Sequence, residues 1–353
     1  MRGKLTLTIV LVLSPLMMTG CGMRPPAPVP ETPVETQVWP APPAPPRIRY
    51  VRSLHGPHDL GIVKPWFQRV AETLFGKTEE YFIRPTGVTE HDGVLYVADP
   101  GAQALWIFNV PQQRFTKITR INKTPLASPV AVAARSDGAV FVADSWLKKV
   151  FLLDREGKPL RVFIDGGLER PAALAYDAAT DRLYVADSIA HRIGVYGPDG
   201  ARASAWGKRG GGDGEFNYPT HLAFDGTGAL LVTDALNFRI QAFDRDGRFL
   251  WKMGRHGDGS GDLAAPKGVA ADSRGQIYIV DALFDAVQIF ERKGSLLLAF
   301  GERGIRRGQF WLPGGIFINP EDLIYVADAY NQRVQVFELL GELNKANTSK
   351  AQR

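Results

Sequence analysis

The chain has 353 residues, 45% of them apolar and 22% charged, with a formal net charge of +5. It can bury a substantial core, and it exceeds the usual size of one compact core, which leaves two domains or a repeat architecture. The basic residues gather into no stripe interleaved with aromatics, which excludes nucleic acid from the expected partners.

Residues 1–20 read as an export leader. Met1-Arg2-Gly3-Lys4 is a short positive start, and the apolar run after it is too short for a confident membrane span. It ends in Met18-Thr19-Gly20-Cys21, which resembles the lipobox of bacterial lipoproteins. The resemblance implies a diacylglycerol on Cys21. Gly22 in place of aspartate implies transport to the outer membrane, with the domain facing the periplasm or the surface. Cys21 is the single cysteine, so no disulfide can form within the chain. Loss of Arg2 and Lys4 with the leader lowers the net charge to about +3.

Residues 21–46 carry Pro25, Pro26, Pro28, Pro30, Pro33, Pro40, Pro42, Pro43, Pro45 and Pro46. Proline fixes φ and removes the backbone donor, so this stretch predicts a semi-rigid tether that reaches on the order of 75 Å. Residues 47–61, "RIRYVRSLHGPHDLG", look like one strand and a loop. Residues 62–81 form an insert in which Trp66, Phe67, Val70 and Leu74 share one face between Pro65 and Gly76. That spacing predicts an amphipathic helix against the body of the protein.

From residue 82 to 338 one pattern returns six times. An apolar run closes at Asp99, Asp144, Asp187, Asp234, Asp281 and Asp328, and a proline precedes each by about fifteen residues, at Pro85, Pro129, Pro171, Pro219, Pro266 and Pro313. Short alternating strands with glycine-bearing turns, four per unit, predict an antiparallel blade, and six units predict an all-β, six-bladed propeller. The last unit stops at its third strand, "RVQVFE", before a polar tail at 339–353. The strand in 47–61 is the expected fourth strand of blade 6, because closure from both ends of the chain removes free sheet edges.

"GEFNYPTHLAFDGTGALLVTDALNFRIQAFDRDGRFLWKMG" and "GQFWLPGGIFINPEDLIYVADAYNQRVQVFE" resemble NHL repeats, whose pattern runs from G-x-F-x-x-P through V-x-D to N-x-R-[IV]-Q-V-F. The resemblance covers residues 82–338 and is strongest in blades 4 and 6. Blades 1 and 2 lack the asparagine and arginine. In this arrangement each repeated aspartate ends the second strand at a corner, where it accepts backbone N–H groups and, in blades 3, 4 and 6, faces Arg192, Arg239 or Arg333. One carboxylate per blade lies too far from the next to share a metal ion.

Resemblance to amidating lyases would place zinc-binding histidines directly after the blade proline in several blades. Those positions hold Thr86, Val130, Ala172, Thr220, Lys267 and Gly314, so no metal or cofactor is expected. His221, one position further on, is the candidate if the channel is a hydrolase or lyase site. The glycine-rich stretch 207–216 reads as a flexible inter-blade loop. What varies between units is the second residue after each aspartate: Trp146, Ile189, Leu236, Leu283 and Tyr330, with Phe238 and Phe284 nearby. An apolar ring on one face predicts a non-enzymatic binding surface for an envelope protein, peptide or glycan.

Overall fold

A computed structural model describes residues 36–62 and 80–341. Cys21 and the helix expected between Pro65 and Gly76 lie outside the described residues. The protein is an all-β propeller of six antiparallel blades. In blade 1 the strands run Gly87–His91, Val94–Asp99, Ala104–Asn109 and Arg114–Ile118 from the axis outward. Blades 2 to 5 repeat this order, with innermost strands at Pro129–Ala134, Pro171–Asp177, Pro219–Phe224 and Pro266–Ala271.

Period-two alternation makes this ring. Along the second strand of blade 1, Val94, Tyr96 and Ala98 join a cluster with Val132, Val140 and Phe151 of blade 2. Leu95 and Val97 point the other way, into a cluster with Tyr325, Val334 and Val336 of blade 6. A strand with both faces buried reads as continuous apolar sequence, which is why the "LYVAD"-type strands look uniform. Burial is therefore spread over the seams between neighbouring blades.

Blade 6 closes as expected. Ile48–Leu54 pairs antiparallel with Arg333–Leu339, with Ile48 opposite Leu339 and Leu54 opposite Val334. Leu340 N–H donates to Arg47 C=O at 2.8 Å, so the pairing runs slightly past the expected boundary at 338. The tether expectation needs correction at its C-terminal end. Val38–Trp39 pairs with Ile48 and Arg49 as a fifth strand, and the Trp39 ring lies 5.7 Å from Phe300 and 5.8 Å from Phe337. The aromatic ring gains apolar contact there, and Pro40 ends the pairing where no further donor is required.

The innermost strands carry small side chains, among them Ala131, Ala133, Ala173, Ala175 and Ala270. Where blades 6 and 1 meet, Gly315 N–H donates to Thr86 C=O at 3.0 Å. A Cβ at Gly315 would sit 2.2 Å from that oxygen, so glycine is required for this approach.

Candidate functional site

All six repeated aspartates are fully or almost fully buried. In blades 1, 2 and 5 the carboxylate accepts backbone N–H groups alone, from two sources. Asp144 takes Ala127 and Ser128 from the loop leading into its blade at 2.7 and 3.0 Å, and Trp146 and Leu147 from the corner at 3.1 and 3.0 Å. Asp281 repeats the scheme with Ala264, Ala265, Leu283 and Phe284. Each aspartate therefore ties two chain segments of its own blade together, which a search for donors near the corner alone misses.

Blades 4 and 6 add side chains. Asp234 accepts from Asn237 Nδ2 at 2.8 Å, Arg239 Nε at 2.8 Å and Gln241 Nε2 at 3.1 Å. Arg239 then donates to the carbonyls of Gly211, Gly212 and Glu215 at 2.8, 2.8 and 3.0 Å. Asp328, Asn331, Arg333 and Gln335 repeat this clamp against Ile305, Arg306 and Gln309. The stretch 207–216, expected to be flexible, is thus held by a buried guanidinium. Blade 3 is intermediate, with Arg192 3.6 Å from Asp187.

The fourth residue after every corner aspartate has positive φ: Gln103, Lys148, His191, Phe238, Asp285 and Gln332, at 49, 57, 51, 54, 50 and 55°. None of these is glycine or asparagine, so the usual signal for a left-handed residue is missing from the sequence. This turn throws the residue two places before it outward. Trp146 is 78% exposed, Leu283 65%, Leu236 51%, Tyr330 50% and Ile189 42%. Phe238 and Phe284 are half-buried. Phe238 stacks on His256 with centroids 4.0 Å apart and packs on the seam of blades 4 and 5, so it braces the ring more than it presents a free face.

Inside the ring opens a cavity of about 880 Å³ along the propeller axis, with Leu283 and Tyr330 in its wall. The residues after each blade proline, Thr86, Val130, Ala172, Thr220, Lys267 and Gly314, all line it. His221 lines it as well. Val269 N–H donates to His221 Nδ1 at 3.3 Å, which leaves the proton of the neutral ring on Nε2. Burial pushes the imidazole down to about 4, so it is neutral near pH 7. Among the described residues no carboxylate lines the cavity to orient this histidine, and no group of three histidine, cysteine or acidic side chains is placed to hold a metal ion.

Residues 310–337 match the NHL repeat family. No curated protein matches the chain in sequence. Among solved structures, virginiamycin B lyase from Staphylococcus aureus with quinupristin is 15% identical, with a TM-score of 0.55 over 73% of this chain and 95% of that one. An auxiliary nutrient binding protein from Bacteroides thetaiotaomicron is 12% identical, with a TM-score of 0.57 over 72% and 69%. A chain of a nidogen/laminin complex is 19% identical, with a TM-score of 0.52 over 69% and 86%. At such identities the likeness concerns the fold, and proteins of one fold carry unrelated functions. The chain is a six-bladed β-propeller that carries an NHL repeat.

Proposed function

We propose that this propeller is a non-enzymatic binding module, held at the outer membrane through a lipid on Cys21, and that its corner face receives a protein or peptide partner. The observation that carries the reading is the set of exposed apolar side chains at five successive corners on one face. Exposing such residues costs solubility and contributes nothing to the seams between blades, whereas interfaces concentrate their energy in aromatic anchors. Trp146 and Tyr330 fill that role. Tyr330 stacks on Trp311 with centroids 5.7 Å apart, which widens the aromatic surface on blade 6. A glycan is the alternative occupant of the same surface.

The test is capture from solubilised envelope by the lipidated protein and by Trp146→Ala. The variant is expected to lose about 2 kcal/mol or more of partner affinity. Its melting temperature should stay within a degree or two, because an exposed side chain away from the core changes stability by less than about 0.5 kcal/mol. Equal capture by both proteins sinks the reading. The membrane part has its own check: Cys21→Ala should leave the outer-membrane fraction after a high-salt wash, and its retention there would show that the lipid is not the anchor.

A catalytic reading rests on His221 alone. A general base needs a proton to abstract within hydrogen-bond reach and, commonly, a third group that orients it. The only hydrogen bond of the His221 ring among the described residues is the one from Val269 N–H. The binding reading is therefore the better supported.

A further inference from the structure

The channel has a polarity of its own, distinct from the apolar rim. At the mouth the wall includes Arg84, Arg170 and Lys267, from blades 1, 3 and 5. All three are exposed, and none makes an ion pair or side-chain hydrogen bond with a described residue. Every other blade thus places around a common opening one cation that has no side-chain partner among the described residues. Elsewhere on the surface some arginines meet carboxylates, as Arg245 does with Asp177 and Arg292 with Asp225, each at 2.6 Å, and others such as Arg202 and Arg303 have no side-chain partner among the described residues; what sets these three cations apart is the cavity they share. No aspartate or glutamate lines the cavity among the described residues.

The innermost strands run from the mouth toward the opposite face. Their far ends bring Tyr176, Phe224, Phe317 and Ile318 into the wall, with alanines between. The cavity is thus cationic at one end and apolar or aromatic at the other. A ligand of free-standing phosphate size would leave the apolar end empty, and a wholly apolar ligand would leave three like charges facing one another at the mouth. Like charges gathered around a low-dielectric opening raise the local concentration of the opposite charge. A volume of about 880 Å³ suits a molecule of drug or lipid-fragment size.

We propose that the central channel binds an amphipathic anion, with a carboxylate or phosphate head between Arg84, Arg170 and Lys267 and an apolar body along the innermost strands. This goes beyond the rim reading, since it gives the channel a small ligand of its own and shares with that reading only the face on which the mouth opens. The neutral His221 lies on the path between head and body, where its Nε2–H can donate to the ligand without adding charge.

Isothermal titration of the full chain with submicellar decyl phosphate and decanoate, beside decyltrimethylammonium and inorganic phosphate, tests this. The two anionic amphiphiles should bind at least tenfold more tightly than the cationic one and than inorganic phosphate, and their affinity should fall as salt rises. Arg84→Gln and Arg170→Gln should each weaken decyl phosphate about tenfold with unchanged melting temperature, since neither side chain has a partner to lose among the described residues. Equal affinity for the anionic and cationic amphiphiles, or full affinity in Arg84→Gln, Arg170→Gln and the double variant, overturns the proposal. Trp146→Ala separates the two readings. If it loses partner capture while no variant affects amphiphile binding, the rim stands and the channel assignment falls. If it retains capture while the arginine variants lose decyl phosphate, the channel stands and the rim assignment falls.

Discussion

The corners of blades 2 and 6 answer one structural need in two ways. Both bury an aspartate at the end of the second strand, and both use it to bind the loop that leads into the blade. Asp144 does this through four backbone N–H groups, whereas Asp328 takes one backbone N–H, from Trp311, and three side chains. The position that holds Arg333 in blade 6 holds Lys149 in blade 2, where it pairs with Asp165 at the surface. The carboxylate is thus the constant that the blade requires, and the Asn-Arg-Gln clamp is an addition that fixes a long loop before the blade. Blade 2 has no such loop to fix, because the preceding connection folds as its own short hairpin of Arg120–Ile121 with Thr124–Pro125. Freed of a clamp, its corner carries the most exposed of the apolar rim residues, Trp146.

This comparison can be broken most sharply at blade 6. Arg333→Ala should leave Asp328 buried without its cation and release three loop carbonyls, so chemical denaturation should show a loss of about 3–5 kcal/mol. A loss under about 1 kcal/mol would mean that the backbone donors suffice there as they do in blade 2.

Asp144→Ala should cost less, about 2 kcal/mol, because the four N–H groups it orphans lie near the surface, where water can reach some of them. If this variant proves as unstable as Arg333→Ala, the backbone scheme is the stronger of the two, and the clamp of blade 6 serves loop order more than stability. The smallest effect belongs to Lys149→Ala. Its ion pair with Asp165 is half-buried at the lysine and exposed at the aspartate, and denaturation should register under about 0.5 kcal/mol. A larger loss would place Lys149 in an unrecognised equivalent of the arginine clamp.

The blade plan was legible because it is local. Each strand signals its two buried faces through its own residues, and the proline and aspartate markers return at near-equal spacing, so six blades and the need for an N-terminal closing strand follow from the sequence. The fifth strand was not legible. Val38 and Trp39 are too short a run to stand out among prolines, and only the ring of Phe300 and Phe337 gives Trp39 a place to go. The left-handed corner residues were hidden for a different reason: Gln103, Lys148 and Phe238 have no intrinsic preference for that backbone, and the buried aspartate grips the turn in its place.

The sequence by itself also determined which residues vary at the corners, since Trp146, Ile189, Leu236, Leu283 and Tyr330 stand at one repeat position. Whether they face solvent or a seam was decided by the tertiary structure, because a turn's direction depends on the φ of a later residue and on the neighbouring blade. The cationic mouth belongs wholly to the fold. Arg84 and Arg170 share one repeat position, directly before a blade proline, but Lys267 follows its proline, so no single repeat position joins the three. They meet because ring closure brings every innermost strand to one axis, and side chains remote along the chain then face a single cavity.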